Sequence, residues 1–255
     1  MAYAELRIHS EALRMATEVN VVIPQRSTQG EIGTDNKTSA GKYPCLYLLH
    51  GLSDDQTIWM RRTSIERYAT KYGIAVVMPR GDRSFYTDMK HGQKYYTYVA
   101  EELPRIMTDL FPISDRREDT VIGGLSMGGY GALKIALRNP ERYSRAIALS
   151  TVADIRGLYD RFDDTLDHVF GDKDGITEDD DLFSLAEKCA KNSTRPLIYM
   201  AEGLSDFMYA ENIRLRDHLT DLGYDLTYRE GPGIHSWDFW DEYIQYALEW
   251  AWQIK

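Results

Sequence analysis

The chain has 255 residues, 43% apolar and 27% charged, an ordinary globular composition long enough to bury one sizeable core as a single domain spanning residues 1–255. Its net charge of −10 opposes phosphate backbones and anionic lipid, so nucleic acid and membrane surfaces are not the expected partners. Cys45 and Cys189 are too few for a disulfide framework and too widely spaced for a metal site, and each lies in an apolar stretch that reads as a buried thiol.

The first nine residues, Met1 to His9, contain no apolar run after a basic start, so no signal peptide is expected there. No stretch approaches the roughly 18 apolar residues that span a bilayer. A cytoplasmic protein is the expectation. In chain order, Ala4 to His9 and Ala16 to Ile23 alternate polar and apolar residues, as an antiparallel sheet edge would. A loop rich in Gly, Ser, Thr and Asn follows from Pro24 to Lys42. The apolar runs then become continuous at Cys45–Leu49, Ile74–Met78, Thr120–Ile122, Ala146–Leu149 and Leu197–Met200. Continuous runs predict strands buried on both faces, hence a parallel sheet.

Helical stretches fall between these strands at Ser64–Tyr72, Tyr98–Leu110, Met127–Arg138 and Ala210–Leu222, and one closes the chain at Ser236–Gln253. Pro104 should kink the second or mark its effective start, and Asn139-Pro140 stops the third. Two strands followed by repeated strand–helix units predict a doubly wound α/β sheet. The acidic segment from Thr151 to Thr194 carries no clear strand. It is expected to be an insertion between two strands, placed to cover the mouth of a site.

Gly124-Leu125-Ser126-Met127-Gly128 follows an apolar strand and opens a helix, the setting a nucleophile elbow needs. Side chains two positions either side of Ser126 would collide in so sharp a turn, and the helix N-terminus favours developing negative charge there. A serine hydroxyl needs a base, and the base needs an acid to hold it. Of the six histidines, His235 alone lies after the last strand expected, Leu226–Arg229, whereas His218 falls mid-helix. Asp206, in the loop after Leu197–Met200, is the expected acid, with Glu202 its nearest rival; Asp206 could also cap the following helix. The backbone N–H groups of Met127 and of Leu52, in His50-Gly51-Leu52, are the candidate oxyanion donors. His50 itself reads as structural.

The acidic run Asp172 to Asp181 departs from a calcium loop, with Ile176 where a ligand should stand, and reads as a solvated loop. The glycines from 123 to 131 form neither dinucleotide nor phosphate motif. No metal or cofactor is expected. The aromatics Phe85, Tyr86, Tyr95, Tyr96 and Tyr98 read mostly as core or interface residues, with one or two lining a pocket.

The motifs His50-Gly51-Leu52, Gly124-Leu125-Ser126-Met127-Gly128-Gly129-Tyr130-Gly131, Ser205-Asp206-Phe207 and His235-Ser236-Trp237 together resemble the esterase D family of α/β-hydrolases. The stretches Ile58 to Tyr68, Ser84 to Asp88 and Tyr95-Tyr96-Thr97 are similar to its tributyrin esterase, or acetyl esterase, branch. The likeness runs from about Leu46 to the last helix. It implies an α/β-hydrolase fold: a mostly parallel sheet with antiparallel N-terminal strands and helices on both faces. It also implies a serine carboxylesterase for short-chain acyl esters, working without cofactor, with Ser126, Asp206 and His235 as triad and Leu52 and Met127 at the oxyanion positions. Small-molecule esters, acetylated or feruloylated sugar esters among them, are the expected substrates, and a homo-oligomer is a reasonable assembly. S-formylglutathione hydrolases of the family commonly carry a cysteine near the His-Gly loop, where this chain has Ser53-Asp54-Asp55. A thioesterase or acyltransferase with the same triad is the alternative, and a silent binding protein of the same fold a remote one.

Overall fold

The computed structural model of the chain describes residues 1–25, 41–159, 161 and 164–252. Most of the loop expected over 24–42, a few residues of the 151–194 segment and the last residue of the expected final helix lie outside these. Among the described residues eight strands, β1 (Ala2–Ser10), β2 (Met15–Ile23), β3 (Cys45–Leu49), β4 (Ala75–Pro79), β5 (Thr120–Leu125), β6 (Arg145–Leu149), β7 (Leu197–Gly203) and β8 (Leu226–Gly231), join one sheet in the order β1-β2-β4-β3-β5-β6-β7-β8. Strand β1 pairs antiparallel with β2, and β2 antiparallel with β4. From β4 to β8 every pairing is parallel.

The two sequence patterns correspond to two degrees of burial. Strand β1 alternates between exposed and half-buried side chains, so one of its faces stays wet. Strand β3 is buried at all five positions. Its Cys45, Tyr47 and Leu49 enter one apolar layer, with Met107, Leu133, Leu185 and Leu215, while Leu46 and Leu48 enter the opposite layer, with Trp59, Ile65, Ile244 and Leu248. Helices therefore cover both faces, and each fully buried Leu or Val side chain contributes about 1.5–3 kcal/mol. Both cysteines are buried free thiols. Among the described residues no helix is long and apolar enough to cross a membrane.

The helices are α1 (Ile58–Arg62), α2 (Ile65–Tyr72), α3 (Leu103–Leu110), α4 (Met127–Arg138), α5 (Ile155–Leu158), α6 (Thr165–Phe170), α7 (Leu182–Ala190), α8 (Tyr209–Asp221) and α9 (Trp237–Ala251). Pro104 divides the expected Tyr98–Leu110 helix: a π-helical stretch, Thr97–Glu102, leads into α3 with Pro104 in its first turn, where a missing N–H costs little. The segment between β6 and β7 holds α5, α6 and α7 and, among the described residues, no strand.

The carboxylates of this segment are largely engaged by the chain itself. Asp172 accepts from the Gly175 N–H, Asp181 caps α7 by accepting from the Phe183 N–H, and Glu178 and Asp179 pair with Lys188. Asp180 reaches into the protein. It accepts a 2.7 Å hydrogen bond from Lys134 Nζ, whose side chain is buried about one turn before the C-terminal end of α4 and also donates to Thr87 Oγ1 at 2.8 Å.

Candidate active site

Ser126 sits between β5 and α4 with φ 52° and ψ −119°, a conformation that non-glycine residues occupy only when their surroundings impose it. Its N–H donates to the Leu149 carbonyl at 2.8 Å, which ties the turn to β6. The flanking glycines are required sterically. A Cβ on Gly124 would lie 2.5 Å from the Gly128 carbonyl carbon, and one on Gly128 would lie 2.5 Å from the Leu49 oxygen. The serine is thus held above the carboxyl ends of the parallel strands, where open α/β sheets bind ligands.

His235, in the turn between β8 and α9, brings Nε2 to 3.0 Å from Ser126 Oγ. Its Nδ1 lies 2.9 Å from Asp206 Oδ2, and Asp206 Oδ1 accepts from the Met208 N–H at 2.9 Å. The imidazole is packed between Phe207, with ring centres 4.7 Å apart, and the edge-on Trp240 at 4.9 Å. Burial alone would raise the Asp206 carboxyl, but hydrogen bonds from His235 and the Met208 amide outweigh it and hold the group below the usual carboxylate range. Of the two acids weighed in the sequence, Asp206 is the one that reaches the histidine. Glu202 lies fully buried near the end of β7, beside Asp206, and makes no hydrogen bond to His235.

Leu52 and Met127 border the same cavity as Ser126. Met127 opens α4, so its N–H has no acceptor within the helix. The backbone before Leu52 is fixed by His50. The Gly81 N–H donates to His50 Nε2 at 2.8 Å, so the ring proton is on Nδ1, which donates to the Gly51 carbonyl at 2.7 Å. Burial lowers the His50 pKa, in keeping with a neutral ring.

The cavity has a volume of about 550 Å³. Phe85, Val152, Leu158, Met208 and Trp240 supply much of its apolar wall, and Asp54, raised by burial, is the acidic side chain on its lining. No lysine or arginine belongs to that lining among the described residues.

A family model described as Putative esterase matches residues 10–251. The chain belongs to that esterase family. It is accordingly a carboxylic ester hydrolase, and the resemblance and the α/β-hydrolase fold read from the sequence are both borne out. An acetyl esterase of Caldicellulosiruptor saccharolyticus is 34% identical over the full length of both chains. The substrate-bound fluorophosphonate-binding serine hydrolase F of Staphylococcus aureus superposes with a TM-score of 0.90 at 33% identity, covering 99% of each chain. An S-formylglutathione hydrolase of the same organism gives 0.87 at 33% identity, covering 98% of each.

Within this esterase the residues that sequence reasoning passed over are mostly apolar. Val152 and Leu158 come from the segment after β6 and carry no motif. Phe207 and Trp240 flank the histidine; Phe207 stands in the Ser205-Asp206-Phe207 motif and Trp240 in the last helix, but neither position signals contact with the imidazole.

Proposed function

We propose that the chain is a serine carboxylesterase acting on short-chain acyl esters, acetyl to butyryl, including acetylated or feruloylated sugar esters. The observation that carries this reading is the unbroken hydrogen-bonded line from Ser126 Oγ through His235 to Asp206 at the wall of an apolar cavity. His235 Nε2 takes the Ser126 proton as Oγ attacks the ester carbonyl carbon, and the carbonyl π electrons move onto oxygen. The N–H groups of Leu52 and Met127 stabilise that oxyanion. Its collapse breaks the bond to the alkoxy oxygen, which leaves with the proton from His235. Water, deprotonated by the same histidine, attacks the acyl-enzyme and returns Ser126 with the free acid. Asp206 keeps the imidazole in the required tautomer and offsets the charge of the imidazolium.

Thioester hydrolysis is the second reading, favoured by the 33% identity with an S-formylglutathione hydrolase. The lining argues for the ester: glutathione carries two carboxylates, while the wall offers Asp54 and no lysine or arginine among the described residues. Hydrolysis of p-nitrophenyl esters from acetate to octanoate, beside S-formylglutathione and with Ser126→Ala as control, tests the proposal. Turnover greatest from acetate to butyrate and lost in the variant is expected. Preference for the thioester would favour the second reading, and full turnover by Ser126→Ala would remove the nucleophile assignment.

A further inference from the structure

Glu202 is a carboxyl group that the ester mechanism does not use. Its side chain is fully buried, and neither oxygen has a well-aligned N–H or O–H donor among the described residues. Its carboxyl group stands beside that of Asp206. Two carboxyl groups in contact do not both stay ionised away from water. Asp206 has the His235 ring and the Met208 amide as donors, so the negative charge resides there and the proton on Glu202.

We propose that Glu202 is a positioning residue, a neutral acid whose O–H donates to the Asp206 carboxylate and fixes the orientation that Asp206 presents to His235. The proposal rests on the triad reading above. Three donors then hold Asp206: the amide of Met208 on Oδ1, the ring of His235 on Oδ2, and the hydroxyl of Glu202. Rotation of the carboxylate would break at least two of them, so the imidazole keeps its aim without help from substrate.

The surroundings keep Glu202 protonated. Burial first, then the neighbouring Asp206 carboxylate, then Glu211 on α8, push the group up to about 10, against a weaker lowering contact from the Gly203 amide. The remaining titratable groups facing it are Tyr209 on α8, Tyr228 on β8, and Glu230, its register partner on β8. None of these is a cation. An unfolded glutamate titrates near 4.3. The protonated side chain therefore favours the folded state fully below that pH, and the contribution diminishes as pH rises toward the folded value.

The test compares Glu202→Gln, which keeps a donor, with Glu202→Leu, which keeps volume alone, using p-nitrophenyl acetate kinetics and melting temperature from pH 5 to 9. The glutamine variant should hold kcat within about threefold of the parent, whereas the leucine variant should lose on the order of tenfold or more in kcat with little change in KM. The melting temperature of Glu202→Gln should rise relative to the parent as pH goes from 5 to 9. Parental kcat in Glu202→Leu, or equal losses in both variants, would overturn the positioning role. A melting-temperature difference independent of pH would overturn the neutral acid, and this reading stands even if the leucine variant does not fold. Asp206→Asn, run alongside, separates the two proposals: full activity there sinks the triad reading and the positioning role with it, while its inactivation beside a fully active Glu202→Leu sinks only the role of Glu202.

Discussion

The two ends of α4 are held by opposite means. At the first, Ser126 is displayed through backbone strain, with glycines on either side where any Cβ would press against backbone atoms. Eight residues on, about 12 Å along the axis, Lys134 is a buried cation held by side-chain electrostatics. Asp180 and Thr87 accept its hydrogen bonds, and the rings of Tyr130 and Tyr96 lie 5.4 and 5.9 Å from Nζ. Strain appears at the proposed nucleophile, and a paired charge appears where the helix is fastened to the segment between β6 and β7. The end proposed to be reactive depends on the main chain, and the fastened end on side chains that substitution can remove.

That contrast can be broken at either end. Ser126→Ala should lower kcat by about 10⁴-fold or more while leaving the melting temperature near that of the parent; steady-state kinetics beside a thermal melt checks both halves. Lys134→Met strands the buried Asp180 carboxylate and should cost about 3–5 kcal/mol in a urea titration. Its kcat should change far less than that of Ser126→Ala, and an equal loss of kcat would mean that the far end governs the near one. Gly128→Ala drives a methyl group against the Leu49 and His50 carbonyl oxygens, an overpacking cost of about 1–3 kcal/mol, with kcat falling as well because the turn must shift.

The smallest effect concerns acid. Burial alone would raise Asp180, but Lys134 and the Thr177 hydroxyl and amide hold it below the ordinary aspartate value. A depressed carboxyl contributes stability above the unfolded pKa, near 3.9, which is lost as pH falls through the folded value. Asp180→Asn should therefore melt lower than the parent at pH 6 and show a shallower decline below pH 4, on the order of 1 kcal/mol per unit of depression.

Much of the scaffold was legible because its signals were local. The apolar run Cys45–Leu49 and the helix Met127–Arg138 match their observed bounds, since one is continuous and the other lies between an elbow motif and Asn139-Pro140. The short helix α1 was missed, five residues being too few to show a period. In the site, Ser126, Asp206 and His235 could be named from chain order and loop position. The choice between Glu202 and Asp206 turned on where β7 ends: it continues through Gly203, which keeps Glu202 inside the sheet and leaves Asp206 in the turn beyond. Lys134 resisted the sequence for another reason. A lysine in a helix ordinarily reads as solvent-facing, yet every residue from Met127 to Leu137 is buried. The one charge between Met127 and Leu137, with an acidic segment downstream, is the available clue.

His50 makes the loop before Leu52 a braced joint. One ring links the end of β3 to Gly81 beyond β4 and to the Gly51 carbonyl, while Tyr86 donates its hydroxyl to the His50 carbonyl at 3.0 Å. Three anchors converge on a single residue. A loop so restrained has little ordering entropy left to surrender when a ligand arrives, so binding energy that a floppy loop would dissipate stays available for the reacting centre.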